Sequence, residues 1–285
     1  MLKPCLLLSA LTLAVPVIAQ TAPSPADPLS EDWRDIPDNE MLVMTLNDGR
    51  QIFVRLAARF APGHVSNIRK LAQAKWWDGE SIYRVQENWV AQWGDATETK
   101  PLPPNVLTRP PAEYEIGTFS AAQRLSKSDG YSTASGVTAD GWPIATDGQA
   151  AWLTHCYGSV GVARDVAPDT GTGAELFTPI GQSARRLDRN YTVVGRIVEG
   201  MQFLSALPRS SASMGVYASA NERTGIASVR LASDLPEDDR PRFQYRATDN
   251  LRYAAAIQLR ERPAPPMVPV GLEVCDLSPG VRRKP

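Results

Sequence analysis

The stretch Ser81–Asp95, SIYRVQENWVAQWGD, sets three aromatic rings and four apolar residues around a single arginine, Arg84, with Gln92 eight positions further on. A guanidinium is always charged and presents five N–H donors in a planar fork. In a pocket that excludes water it can stabilise a lone pair or a developing partial charge without any bond being broken. Trp89 and Val90 supply apolar wall in the same stretch, and Gln92 can orient the guanidinium or a bound carbonyl group. Taken alone, Arg84 also reads as a strand arginine whose stem packs while its head reaches solvent.

Other chemistries find little support. The two histidines, His64 and His155, stand at no metal-ligand spacing from another His, Cys or carboxylate. No G-x-S-x-G elbow occurs. Asp169–Gly173, DTGTG, lacks the second Asp-Thr-Gly or Asp-Ser-Gly that a two-aspartate protease needs, and GTGAEL has no lysine for a phosphate loop. The composition, 43% apolar and 21% charged over 285 residues, is that of an ordinary globular protein. A formal charge of -1 gives no electrostatic reason to expect nucleic acid or an anionic membrane as partner.

The elements that must carry Arg84 follow from periodicity. Leu42–Leu56 alternates on both sides of Asn47-Asp48-Gly49-Arg50 and predicts a hairpin. After Pro62, Val65, Ile68, Ala72 and Trp76 recur at helical spacing. Residues 96–150 are rich in Pro, Gly, Ser and Thr and read as a long, mostly irregular insertion, with a possible strand only at Tyr114–Phe119. Strand-like runs return at Tyr157–Asp165, Glu175–Gly181, Tyr191–Val198 and Ile226–Ala232, with a short helix from Gly200 to Leu207. Many short strands with two helices favour a β-barrel or sandwich over an alternating α/β fold. Residues 236–285 form a distinct tail with one helix through Leu251, Ala254, Ala255 and Leu259, capped by Thr248 or Asp249.

The N-terminus predicts export. Lys3 precedes an uncharged run, Leu6–Ile18, that is 13 residues long and shorter than the ~20 needed to cross a bilayer. Cleavage after Ala19 would leave residues 20–38, rich in Pro, Ala, Ser and Asp, as a flexible lead-in. Cys5 then leaves with residues 1–19. Cys156 and Cys275 remain, either bridged, as an oxidising compartment favours, or as two separate buried thiols behaving as small hydrophobes.

Two blocks carry a family resemblance. Ala61–Asp95, APGHVSNIRKLAQAKWWDGESIYRVQENWVAQWGD, and Gly158–Met201, GSVGVARDVAPDTGTGAELFTPIGQSARRLDRNYTVVGRIVEGM, are similar in order and spacing to the cyclophilins, and the chain resembles their exported bacterial members over residues 40–235. The resemblance implies a closed eight-stranded antiparallel β-barrel capped by two helices, occupying residues 39–235. It implies peptidyl-prolyl cis-trans isomerase activity on Pro-containing polypeptides, in the periplasm and without a cofactor. Its catalytic arginine falls on Arg84 and its pocket glutamine on Gln92. Its substrate-binding positions fall on Trp89, Val90, Ala163, Arg164, Asp165, Glu175, Phe177, Leu187 and Tyr191. Where the family usually carries Gln, Phe and Asn, this chain has Glu175, Leu176 and Arg164, and Arg186 stands near a common tryptophan that helps bind cyclosporin. These departures bear on sequence preference and drug binding and leave the arginine in place.

The expected chemistry needs no nucleophile. An amide C–N bond resists rotation by ~18–20 kcal/mol because the nitrogen lone pair is shared with the carbonyl group. A donor that prefers the twisted state, with the lone pair localised on nitrogen, lowers that barrier. The alternative of another class is a noncatalytic module that uses the same groove, or the tail, to hold Pro-containing partners; the tail is in either case a candidate dock for a further protein.

Overall fold

The computed structural model describes residues 24–269 and 271–285, so the expected signal peptide, residues 1–19, lies outside the described residues. Eight antiparallel strands close into a barrel: β1 Met41–Leu46, β2 Gln51–Leu56, β3 Ser81–Val85, β4 Val90–Gly94, β5 Ser159–Val162, β6 Leu176–Pro179, β7 Val193–Glu199 and β8 Thr224–Leu231. Around the barrel they run β5-β6-β4-β3-β8-β1-β2-β7 and back to β5. The predicted Asn47–Arg50 turn joins β1 to β2, with Met44 opposite Ile52 and Leu42 opposite Val54.

Two helices close the barrel: α1, Pro62–Gln73, and α2, Met201–Ser205. Pro62 opens α1 at a position where a missing N–H costs nothing. Val65, Ile68 and Leu71 turn inward onto the barrel core with Trp77, Trp93 and Val229. Each such side chain, fully removed from water, contributes ~1.5–3 kcal/mol. Trp76 lies beyond the helix end but packs in the same core, so its helical spacing was a coincidence of the turn at residues 74–79. The N-terminus of α1 is held by Glu113, which accepts from the backbone N–H groups of Gly63 and His64 at 2.8 and 3.0 Å.

The insertion is not mostly irregular. It carries a four-stranded antiparallel sheet of Gln123–Arg124, Ala134–Val137, Pro143–Thr146 and Ala151–Leu153, neighbours in that order. Its strands are two to four residues long, and nearly half of their residues are Ala, Ser, Gly or Thr, so propensity hides them. The Asp140-Gly141 and Asp147-Gly148 turns, with both glycines at positive φ, are the signal that was present. The strand expected at Tyr114–Phe119 is reduced to a single bridge, Ile116 to Ala151. The sheet packs through Trp142, Ile144 and Leu153 on Phe60 and Val193 of the barrel domain.

The lead-in is likewise ordered where it is described. Trp33–Asp35 pairs with Phe243–Arg246, which pairs in turn with Val281–Arg283, making a three-stranded sheet from both ends of the chain. Local reading could not find it because the partner lies more than two hundred residues away. The tail therefore packs on its own barrel: Phe243 and Tyr245 join Phe53, Met41 and Val43 in one apolar cluster. The tail helix, α3, runs Leu251–Glu261, and its cap is Asn250 rather than Thr248 or Asp249, its side chain accepting from the Tyr253 N–H at 2.9 Å. Thr248 instead is buried and donates its hydroxyl to the Thr138 carbonyl oxygen.

Cys156 and Cys275 form a disulfide across a sequence separation of 119. A loop of that length gives a cross-link that typically stabilises by ~2–4 kcal/mol, acting on the unfolded chain. Reduction, or Cys275→Ser, is therefore expected to lower the urea midpoint and to make the tail cleavable by protease before the barrel. A midpoint unchanged by reduction contradicts this.

Candidate active site

The site is assembled by strand register. On neighbouring strands Arg84 of β3 stands opposite Gln92 of β4, Gln92 opposite Phe177 of β6, and Phe177 opposite Gly161 of β5. Opposed residues in a sheet share a face, so arginine, glutamine and phenylalanine lie abreast on the outside of the barrel. At Gly161 a Cβ would fall on the Phe177 ring, so the missing side chain is what lets that ring lie flat against β5.

A bulge between Ile82 and Arg84 is the local device that makes this possible. Ile82 and Val85 both point into the barrel core. With strict alternation Arg84 would share the face of Ile82; the extra residue, Tyr83, resets the phase and aims both Tyr83 and Arg84 outward.

Arg84, Trp89, Val90, Gln92, Ala163, Arg164, Phe177, Leu187, Tyr191 and Met214 line one cleft with a cavity volume of about 250 Å³. Its floor is a buried cluster of Val90, Phe177 and Leu187, with Trp89, Ala163 and Tyr191 packed at its edge. Phe177 is held from two sides: His155 stacks on it with ring centroids 6.0 Å apart, and Tyr191 meets it edge-on at 5.6 Å. The Arg164 guanidinium lies 4.9 Å from the Tyr191 ring centroid and its Nε donates to the Asn190 carbonyl oxygen, so it forms a charged rim. Leu187 comes from the short 3-10 turn Gln182–Leu187.

Two sequence-predicted residues fall elsewhere. Asp165 is exposed beyond the end of β5, its N–H bonded to Asp169, and lines a neighbouring cleft rather than this one. Glu175 also faces that neighbouring cleft, shared with Tyr83, Glu98 and Asp169, because its carboxylate turns back onto Tyr83 and Asp95. Two contributors were not expected. Met214, at φ 60° in the loop after α2, gives both wall and a carbonyl acceptor, and Tyr83 links Gln92 to Glu175. Nothing in the sequence marks Met214. Tyr83 was legible only through the conflict of phase between Ile82 and Arg84.

The guanidinium is pre-oriented. Arg84 Nε donates to the Met214 carbonyl oxygen at 2.7 Å, Nη1 to Gln92 Oε1 at 3.0 Å and Nη2 to Gln86 Oε1 at 2.7 Å. Three of the five N–H groups of an arginine are thus engaged, leaving one on each terminal nitrogen for a ligand in the cleft. Half-burial pulls the Arg84 pKa down from its usual value, with no carboxylate alongside to offset it. At ordinary pH an arginine nevertheless stays charged.

Donors run in one direction from this point. Gln92 Nε2 donates to the Tyr83 hydroxyl at 2.5 Å, and the hydroxyl donates to Glu175 Oε2 at 2.8 Å. The other Glu175 oxygen accepts from the Asp95 N–H at 2.7 Å. Gly94 makes room, since a Cβ there would collide with that carboxylate. Burial, opposed by the hydrogen bonds from Tyr83 and Asp95, raises Glu175 to about 7, with the Asp95 and Glu80 charges adding to the rise. Burial also pushes the Tyr83 phenol up, so it remains a donor. Asp95 goes the other way: burial opposes its ionisation, but hydrogen bonds from the Thr97 hydroxyl and from the N–H groups of Lys100, Thr97 and Thr99 bring it to about 2. Among the described residues no group of three or more His, Cys, Asp or Glu is gathered as a metal ion requires.

Comparison with known proteins agrees with this geometry. Residues 41–230 match the family model described as cyclophilin type peptidyl-prolyl cis-trans isomerase/CLD. Among solved structures, the chain is similar in fold to the cyclophilin AquaCyp293 from Hirschia baltica, at 22% identity and a TM-score of 0.69, covering 89% of this chain and 94% of that one. A cyclophilin type isomerase from Cryptosporidium parvum, solved in the presence of the dipeptide Ala-Pro, matches at 13% identity and a TM-score of 0.42, covering 67% and 98%. None of the curated proteins compared matches the chain. The chain belongs to the cyclophilin-type peptidyl-prolyl cis-trans isomerases. Its reaction is accordingly the rotation of X-Pro bonds, and its ligands are Pro-containing peptides.

The raised Glu175 carboxyl has a measurable signature. Between its ordinary value near 4.5 and about 7 the folded state holds a proton that the unfolded chain has lost. Stability therefore falls as pH rises through that window, by up to ~1.4 kcal/mol per pH unit from this one group. Urea unfolding from pH 5 to pH 7.5 is expected to show wild type losing stability relative to Glu175→Gln, and parallel profiles contradict the assignment.

Proposed function

We propose that Arg84 is the group that lowers the rotation barrier, with Gln92 orienting it, and that the proline ring sits on Phe177 between Val90, Leu187 and Trp89. The observation that carries this reading is the two unengaged N–H groups of a fixed guanidinium beside a dry aromatic floor. Addressed to the proline carbonyl oxygen and nitrogen, they favour the half-turned amide, whose nitrogen lone pair is localised, over the planar one. Water exclusion by the apolar floor strengthens that hydrogen bond. No step requires proton transfer, so the charge of Arg84 persists through the cycle.

The substrates under this reading are exported polypeptides, and the compartment is the periplasm. Support comes from Lys3 and the Leu6–Ile18 run in the sequence and from the Cys156–Cys275 bridge, a bond that persists where the surroundings are oxidising. The outer surface of the tail, where Leu251, Leu259, Met267 and Val268 are exposed, is the part available to a further protein partner.

Arg84→Ala is expected to lower kcat/KM on an Ala-Pro peptide by ~10²–10³-fold with little change in melting temperature, as for the loss of one transition-state donor. Turnover like that of wild type refutes the role. Tyr83→Phe keeps the ring but cuts the link between Gln92 and Glu175. It should cost roughly 3–10-fold in kcat/KM, about one hydrogen bond's net worth. An unchanged rate in that variant means the link does not position Arg84.

A further inference from the structure

A second polar assembly lies behind the proline cleft. Asp188 follows the turn that ends in Leu187, and its side chain is 7% exposed. Four donors converge on its carboxylate. Oδ1 accepts from the His155 backbone N–H at 2.8 Å and lies 3.3 Å from His155 Nδ1, while Oδ2 accepts from Trp152 Nε1 at 3.1 Å and from Arg185 Nε at 2.7 Å. A buried carboxylate is costly unless charge and donors meet it, and here both do. Neither Asp188 nor His155 lines the cleft itself.

Both nevertheless bear on its shape. His155 is fully buried, and its ring lies against Phe177 with the two planes 7° apart and the centroids at 6.0 Å. Its Nε2 has no partner among the described residues, so the Asp188 side is the polar tether of the ring. A phenylalanine turns about two side-chain bonds, and a floor made of one keeps its depth only while that ring is stopped. Tyr191 stops Phe177 at an edge and His155 stops it across its face. Leu187, the residue before Asp188, belongs to the same buried cluster as Phe177 and Val90. One carboxylate thereby acts on floor and wall together.

The insertion holds this assembly from outside. Arg185, 6% exposed, spans two carboxylates, with Nε on Asp188 and Nη1 on Asp129 of the insertion at 2.6 Å. Asp129 is itself fixed by the Tyr131 N–H and the Ser132 hydroxyl, at 2.9 and 2.8 Å. Trp152 comes from the last strand of the insertion sheet. Arg189, next after Asp188, donates to Glu115 and Asp147 of the insertion, but those pairs face solvent and contribute little.

We propose that Asp188 is a positioning residue of the isomerase: by tethering His155 against Phe177 and anchoring the turn that ends in Leu187, it sets the depth and width of the slot for the proline ring, and the insertion, through Asp129, Arg185 and Trp152, holds Asp188 in place. This role rests on the reading that the proline ring sits on Phe177. Floor and wall meet that ring alike in the planar and the half-turned amide. Loosening them weakens ground state and transition state equally and leaves the rotation step, which belongs to Arg84, intact.

The test measures kcat and KM separately on an Ala-Pro peptide, with the full chain and its disulfide intact. Asp188→Asn keeps the shape but offers one oxygen to four donors, and it is expected to raise KM roughly tenfold with kcat within about twofold of wild type. Because that variant disturbs a buried group and can fail to fold, Asp129→Asn provides a second reading from the outer end of the assembly. It is expected to raise KM by about threefold, again with kcat kept. A wild-type KM in either folded variant overturns the proposal. So does a lowered melting temperature with both constants unchanged, the mark of a purely stabilising role, and so does a fall in kcat at constant KM, the mark of a contact made only in the transition state. Phe177→Ala separates this role from the reading beneath it. A wild-type KM in Phe177→Ala means that no proline ring rests there and ends both; a raised KM there with an unchanged one in Asp188→Asn ends the Asp188 role alone.

Discussion

Everything at the proline cleft depends on one irregularity of pairing, the bulge at Tyr83 that turns Arg84 out of the barrel while Ile82 and Val85 stay in it. Without it the arginine would have to enter a core shared by Trp77, Trp93 and Leu176, where no carboxylate waits for it. With it, register alone brings Gln92, Phe177 and Gly161 into line beside the guanidinium. The row of residues along the cleft is thus a property of four strands and of where they pair. Loops contribute to it mainly through the Met214 carbonyl group.

The same pairing sets the electrostatics. A half-buried cation is tolerable when its hydrogen bonds are met, and Arg84 meets three of them with neutral acceptors. A carboxylate in direct contact would draw the fork away from a ligand. The carboxyl group of Glu175 is kept two links away, behind Gln92 and Tyr83. That arrangement fixes the polarity of the intervening amide and hydroxyl while leaving the guanidinium free to face the cleft. It also explains why a glycine, Gly94 at φ 146°, is needed beside Glu175, because a side chain there would displace the carboxylate.

Much of this was legible in the sequence, and the limits have physical causes. The β1–β2 hairpin, α1 and the barrel strands announce themselves by alternation, helical spacing and turn residues, and the resemblance placed Arg84, Gln92, Phe177 and Leu187 where the fold brings them together. The resemblance sets Glu175 at the substrate groove, and the structure puts it in the adjoining cleft, where a carboxyl group in place of an amide accepts from Tyr83 and the Asp95 N–H. The insertion sheet escaped because strands of two to four residues are too short to show a period of their own and gain their burial from distant parts of the chain, Phe60 and Val193 of the barrel domain and Tyr253 and Leu277 of the tail. The strand at Trp33–Asp35 escaped because its partner is in the tail, and no local pattern encodes a pairing across the whole chain. The Cys156–Cys275 bond, expected from compartment and number, ties that tail down beside the insertion.

The account stands or falls on where a proline goes. A crystal structure of the protein with an Ala-Pro-containing tetrapeptide measures this directly. The prediction is a proline ring in van der Waals contact with Phe177, within ~4 Å, and an Arg84 terminal nitrogen within ~3 Å of the proline carbonyl oxygen or nitrogen. A peptide bound elsewhere, or one seated on Phe177 with Arg84 turned away to solvent, contradicts it.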